Sequence, residues 1–411
     1  MHVSLDSALG RQRRLNSVGE SVLQIAPSAA AAYSLRSLTG GDPKVVRVRR
    51  SSGGEQDFTA SEVASGAMLS YVTEARTGWN IQATFNDSTA TITSASSTAT
   101  TSTVSFTGSG VTRVLPKSNY VLAEAGDQVV FNMSVSGLDS EMTFRLRKAN
   151  SNTTVGTATV DNGDNQDVTL NLTASSGYTG GYPHFTADAG SGEATVTINS
   201  VTVNGKSGFV ETWSDQSGNS NDATQPTSGN QPKIVDAGSL VEDTNGHPEI
   251  KFDGSDTSLL KATFTQGDLA QANTIFTVAK LDVVADINRK IYDGGTSSVK
   301  RNMLFLSTDG SGEFGFFADD VVSTGVTATT DKNLFSALYD GASSELFING
   351  SSAASGDVGD YPMDGIRIGE NFSAGANNWL GQIQEIIVYN ANQSAKRSAL
   401  ETNINSHYSI F

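Results

Sequence analysis

Residues 209–234 read F-V-E-T-W-S-D-Q-S-G-N-S-N-D-A-T-Q-P-T-S-G-N-Q-P-K-I. The stretch opens as a short strand carrying Trp213, then enters a turn built from Asp215, Gln216, Ser217, Gly218, Asn219, Asn221 and Asp222. Asn, Asp and Gly tolerate left-handed backbone, and Asn and Asp side chains hydrogen-bond the nearby chain, so this density of them specifies a structured polar loop. Gln231–Ile234 leads into another strand, and Pro248–Gly254 into the next.

Outward from that loop, composition narrows the class. The chain has 411 residues, 17% of them charged and 37% hydrophobic, with 41 Gly, 8 Pro and no cysteine. Little charge with many small polar and β-branched residues fits β-sandwiches with long polar loops. Without cysteine there are no disulfides and no thiolate metal sites. The formal charge of −16 argues against general nucleic-acid binding. No apolar run reaches the length of a membrane span, and no leader pattern with a cleavage site is seen.

Period-2 alternation dominates the chain. Val46 and Val48 point inward and Arg47 and Arg49 outward in Val45–Arg50. Between Gly78 and Gly208 lie strand patterns of their own: Val129, Phe131, Met133, Val135; Phe144, Leu146; Val168, Leu170, Leu172; and Val196, Ile198, Val201, Val203. Thr89–Thr107, rich in Ser, Thr and Ala, reads as a polar edge strand or a flexible link. Further strands are expected at Ile275–Lys280, Arg289–Tyr292, Leu334–Tyr339, Glu345–Asn349, Gly365–Gly369 and Trp379–Tyr389, with a closing helix over Ser394–Ser406 pinned by Leu400, Ile404 and Tyr408. The alanine run makes Ala30–Leu38 a short helix on this reading, and Ser61–Glu74 is helix-like as well.

W-x-D-Q-S-G-N-x-N-D-A-T-Q, with A-x-Y-S-L-R and V-x-V-R-R-S-S before it and W-x-G-x-I-x-E-I-x-x-Y at the end, resembles fungal arabinofuranosidase B catalytic domains and many bacteriophage structural proteins. The resemblance implies an all-β fold, a concanavalin A-like (laminin-G-like) β-sandwich. On this reading it occupies residues 29–78 and 207–411 and is interrupted at 79–206 by an inserted jelly-roll module resembling carbohydrate-binding modules. Residues 1–28 form an N-terminal arm, helical or extended. It carries Arg11, Arg13, Arg14 and an apolar stripe of Leu15, Val18, Val22 and Ile25, which must dock on its own sandwich, a sister subunit or another protein.

The chemistry is sparse. The four histidines are scattered, and no G-x-S-x-G elbow or H-E-x-x-H occurs. The G-x-G-x-x-G at Gly310–Gly315 lies between two strands and reads as a hairpin turn. Glycoside hydrolysis needs two carboxylates about the sugar bond. The resemblance implies an essential acid in a stretch like D-Y-G-N-A-E-T-S, but Tyr292–Ser297 here lacks that Glu, leaving Asp293, Glu313, Asp319 and Asp320 as spare acids. Glycans can also be held by aromatic faces and Asp or Asn hydrogen bonds alone. Tyr178, Tyr182, His184 and Phe185 are either a platform for that or a loop folded over its own core. Asp215, Asn219, Asn221 and Asp222 either hold a ligand, Ca²⁺ included, or cap their own loop.

The resulting expectation is a non-enzymatic bacteriophage virion protein, a tail fibre or appendage adhesin assembled in the bacterial cytoplasm. It would join other virion proteins through the arm, display its sandwiches to host cell-surface glycans, and form a homo-oligomer, a trimer by the habit of phage fibres. The alternatives are a purely structural or decoration protein and an arabinofuranosidase-like glycoside hydrolase.

Overall fold

The computed structural model describes residues 20–51, 54–73, 91–97, 101–113, 128–148, 153–173, 181–284, 288–306 and 312–411. The described chain is an all-β sandwich protein with a few short helices. At its centre runs the closing strand Leu380–Tyr389, with nine of its ten residues buried. One edge takes Asn273–Leu281 along its whole length, with Thr274 opposite Tyr389 and Leu281 opposite Gly381. The other edge is shared end to end by Ala31–Ser34 (Tyr33 opposite Ile386) and Ile250–Asp253 (Ile250 opposite Ile383). A strand buried on both faces is largely apolar, as Ile386–Tyr389 is here, and its buried Glu385 is carried by bonds from Arg36 and Ser34.

The buried residues fall into separate clusters. The largest draws on 30–72 and 210–388 and includes Trp213, Tyr292, Tyr339 and Trp379. A second lies wholly within 104–201 and centres on Phe106, Phe131, Phe144 and Phe185. The long strand Gly181–Trp213 passes between them. It pairs first with Ser102–Arg113, Gln128–Ser136 and Ser140–Lys148, then with Lys44–Arg50 and Lys233–Ala237. In the 89–107 region Thr91–Ser97 pairs with Ser102–Arg113, and its mostly exposed side chains suit a sheet edge.

The helix expected at Ala30–Leu38 is a strand instead. Ala31–Ser34 is fully buried and antiparallel to the closing strand. Alanine's helix propensity is a fraction of a kcal/mol per residue, and burial of a paired strand outweighs it. Among the described residues its other edge has no neighbouring strand, and the polar loop supplies the partners. Asp215 Oδ1 accepts from Ala32 N (2.8 Å), and Gln216 N donates to Ala32 O (2.8 Å). Asn219 Nδ2 donates to Ala29 O (2.8 Å) and Asn221 Nδ2 to Ala30 O (2.7 Å). Gln216 Nε2 reaches Ser34 O and Arg36 O, while its Oε1 accepts from Leu38 N.

Helices close the structure where expected, with shifted ends. The closing helix is Arg397–Tyr408; its buried Leu400, Ile404 and Tyr408 pack with Phe276, Ile387 and Tyr389. Ser61–Glu74 becomes two helices, Ala60–Ala64 and Ala67–Thr73. Of the arm, Arg11, Arg13, Arg14, Leu15 and Val18 lie outside the described residues. Val22–Ile25 forms one helical turn, with Val22 buried and Ile25 half-buried against the closing helix, so this part docks on its own chain.

Asn221 is fully buried and also accepts from Thr265 N (2.9 Å). Truncating it takes the Nδ2 donor from buried Ala30 O and from Gln266, and the acceptor from Thr265 N, at a cost of about 1–3 kcal/mol. Urea unfolding of Asn221→Ala is therefore expected to show that loss, while Ser228→Ala, exposed on a short turn, stays within about 0.5 kcal/mol of the parent.

Candidate functional site

Two concave places stand out on the main sandwich. The first is an open cleft of about 550 Å³ lined by Asp222, Thr224, Gln225, Pro226, Leu260, Lys261, Ala262 and Arg367. Strand register builds its floor. Thr224 lies opposite Leu260, Leu260 opposite Arg367, and Arg367 opposite Asp293. Their neighbours Ala223, Leu259, Ile366, Ile368 and Tyr292 are buried in the core. Because successive side chains alternate faces, Thr224, Leu260, Arg367 and Asp293 form one row on the outer face.

The row is open at one end and closed at the other. Asp293 is fully buried: it accepts from Arg301 Nε (2.9 Å), Arg301 Nη2 (2.7 Å), Gly294 N (2.7 Å) and Phe372 N (3.0 Å), with the Arg301 guanidinium 4.2 Å from the Phe372 ring centroid. Arg367 Nη1 donates to Glu370 Oε2 (2.9 Å), and Lys261 Nζ to Ser220 O (3.0 Å). Asp222, exposed on the rim, accepts from Asp215 N (2.8 Å) through Oδ1.

The second place is a pocket of about 400 Å³ between Leu35–Ser37, the Ala60–Ala64 helix, the 240–248 hairpin and the end of the closing helix. Leu35, Val63, Leu240 and Pro248 give apolar walls, and Arg36, His247, His407 and Tyr408 a polar end. Asp243 sits in the hairpin turn and accepts from Asn245 N (2.8 Å) and His247 N (2.9 Å), with Lys332 Nζ also bonded to it. Although burial opposes its charge, the Lys332 and His247 bonds hold its carboxyl well below the usual range. It is therefore ionised, and the His247 Nδ1 3.1 Å away must be the donor, leaving Nε2 as the basic nitrogen. The His407 ring lies 4.7 Å from that of His247, and burial, with Arg36 nearby, lowers its pKa to about 4. Behind the pocket, Glu249 is almost fully buried. Its Oε1 has no partner among the described residues, and burial, with Asp243's charge beside it, pushes its carboxyl up to about 7.

The remaining expected site residues scatter. Tyr178 lies outside the described residues, and Tyr182 is placed only through its backbone, opposite Arg147. His184 and Phe185 are buried, Phe185 with its ring 6.0 Å from Phe106 in the inner core. Asp215, Asn219 and Asn221 bond the Ala29–Ala32 edge, and of that group only Asp222 lines the cleft. Among the described residues no cluster of three or more His, Asp or Glu is placed to hold a metal ion. Of the spare acids, Asp293 is locked to Arg301, Glu313 accepts from Gly325 N (3.1 Å), and Asp319 and Asp320 are exposed. Arg367 was legible as an outward residue of I-R-I, but its cleft neighbours were not. Nor was the meeting of His247 with His407 across 160 positions of chain.

No protein-family description matches the chain, and no curated protein matches its sequence. Similar solved structures include a Trypanosoma rangeli sialidase in complex with 2,3-difluorosialic acid (15% identity over 47% of this chain and 31% of that one, TM-score 0.34). The same sialidase in complex with sialic acid aligns at 10% identity over 75% of this chain and 62% of that one, TM-score 0.34. The CBM40 of Ruminococcus gnavus IT-sialidase bound to α2,3-sialyllactose aligns at 16% identity over 38% of this chain and 96% of that one, TM-score 0.29. These are sialidases and a sialidase's carbohydrate-binding module, where the sequence reading expected virion parts and an arabinofuranosidase relation. The tail-fibre adhesin and the non-enzyme expectations are corrected on that finding. At these TM-scores the likeness carries no activity or substrate to this chain.

Glu249 gives a test of the pocket region. Its carboxyl, pushed up to about 7 in the folded state, stands above the ordinary glutamate value of about 4.5, so the folded state keeps a proton that the unfolded chain has lost between those values. Stability from this group is full below about pH 4.5 and is lost as pH rises through 7, by on the order of 3 kcal/mol. Urea titrations at pH 5 and pH 8 are expected to show Glu249→Gln gaining on the parent at the higher pH. Equal differences at both pH values would mean that folding does not raise the Glu249 carboxyl above its ordinary value.

Proposed function

We propose that this is a carbohydrate-binding sandwich protein and that the cleft of Asp222, Thr224, Gln225, Lys261 and Arg367 holds the glycan. One observation carries the reading: strand register sets carboxylate, hydroxyl, amide, ammonium and guanidinium groups around the apolar floor of Leu260, Pro226 and Ala262. Sugars offer hydroxyls that both donate and accept, above C–H faces that pack on apolar carbon, and such a lining matches both features. Residues 79–206 belong in this proposal to a second sandwich inserted into the first, formed by 29–78 and 207–411. The named neighbours bind sialic acid, difluorosialic acid or sialyllactose, but the proposal rests on the cleft itself.

A second reading, glycoside hydrolysis, is favoured by the carboxylates beside the pocket. Asp243 is held ionised while Glu249 is pushed up to about 7, and two acids driven apart in this way are how one site supplies both a base and an acid at neutral pH.

A glycan array followed by titration calorimetry tests the binding, with sugar release measured on the same samples. Saturable binding that falls about tenfold or more in Lys261→Ala and Arg367→Ala, each losing a charged hydrogen-bond donor, is expected. Absence of binding to any glycan overturns the proposal. Release abolished by Glu249→Gln would establish hydrolysis, and no release from any bound glycan would remove that second reading.

A further inference from the structure

We infer that the cleft selects a sugar bearing a carboxylate, with the Arg367 guanidinium as its anchor; the inference rests on the glycan-binding reading of this cleft. Arg367 is nearly buried, its side chain 11% exposed. A guanidinium carries five N–H donors in a fixed planar fork. Among the described residues the one acceptor it meets is Glu370, at Nη1. Its Nε–H is shielded from solvent and has no acceptor among the described residues, which leaves Nη2 as its open, unpartnered nitrogen.

Glu370 is itself held in place. It is nearly buried, and its second oxygen accepts from Gly375 N. It therefore fixes the plane of the guanidinium and occupies Nη1; with Nε shielded from the cleft, Nη2 is the donor left for another acceptor. A charge-assisted bond from that nitrogen to a carboxylate is about twice as strong as one to a neutral oxygen.

Its surroundings agree with this assignment. Arg367 shares its row with Asp293, but Arg301 and Phe372 N saturate that carboxylate, so it is bound elsewhere. Lys261 brings a second positive charge to the cleft. Asp222 lies on the rim, where a sugar hydroxyl can donate to it without the acid group of the ligand approaching. A neutral sugar would give the Nη2 donor at most a hydroxyl partner, which bonds more weakly than an anion does.

Esterification of the ligand isolates the charge, since a methyl ester keeps the sugar's shape and removes its anion. The probes are trigalacturonate and trisaccharides ending in glucuronic or sialic acid, each as free acid and as methyl ester, titrated into the full chain. At least one free acid is expected to bind about tenfold or more tightly than its ester, the size of a charge-assisted pair. Arg367→Gln is expected to erase that ratio, and Arg367→Lys, which keeps the charge but loses the fork, to leave an intermediate one. Circular dichroism on both variants confirms that they fold, and the ester comparison on the parent stands even where a variant does not. Equal binding of acid and ester overturns the carboxylate assignment and leaves glycan binding intact. Failure of every acid, every ester and every neutral glycan overturns the glycan-binding reading and this inference with it.

Discussion

The structure depends on how one unpaired strand edge is satisfied. Ala31–Ser34 is buried in the middle of the main sandwich, bonded on one side to the closing strand and on the other to no strand among the described residues. Buried backbone N–H and C=O groups left without partners cost about as much as lost hydrogen bonds. The loop from Asp215 to Asn221 removes that cost by laying carboxylate and amide side chains along the edge, from Ala29 O to Leu38 N. The loop is itself stitched, with Asp215 accepting from Ser217 and Asn221, and Asp222 from Asp215. The polar stretch is thus a surrogate strand made of side chains.

That clasp explains where the rest of the chain can go. Holding the 29–38 segment against the closing strand brings Arg36 onto Glu385, with bonds of 2.8 and 3.0 Å, and Ser34 and Tyr408 complete the buried carboxylate's partners. Removing one member of such a pair would leave a buried charge alone, which is strongly destabilising. Tyr408 belongs to the closing helix, so the same cluster fastens the last helix to the first strand. The pocket with His247 and His407 lies at this junction, walled by segments that are far apart in sequence.

On the outer face the same economy of partners separates structural acids from available ones. Asp293 sits in a strand at a position where a catalytic acid would be well placed, but two guanidinium nitrogens and two backbone amides saturate it. Arg367, one strand away in the same row, keeps Nη2 open. Sequence alternation places both residues outward and cannot tell them apart, because the difference lies in how the 370–376 segment meets each: Phe372 N completes the partners of Asp293, whereas Glu370 takes Arg367 at Nη1 alone.

Local pattern reached far in this chain. Period-2 alternation located strands of both cores, and Leu400, Ile404 and Tyr408 marked the buried face of the last helix. Those features depend on spacing along the chain, which sequence carries directly. It failed at Ala30–Leu38, where intrinsic helix preference of a few tenths of a kcal/mol per residue met a buried strand pairing. The sequence by itself determined an all-β chain with a polar loop dense in Asn and Asp. Only the tertiary structure decided that most of this loop bonds the chain's own backbone, that Asp293 is occupied, and that Arg367, Lys261 and Asp222 share a cleft. Those outcomes depend on which distant groups meet, and hydrogen-bond saturation is a property of contacts rather than of residue types.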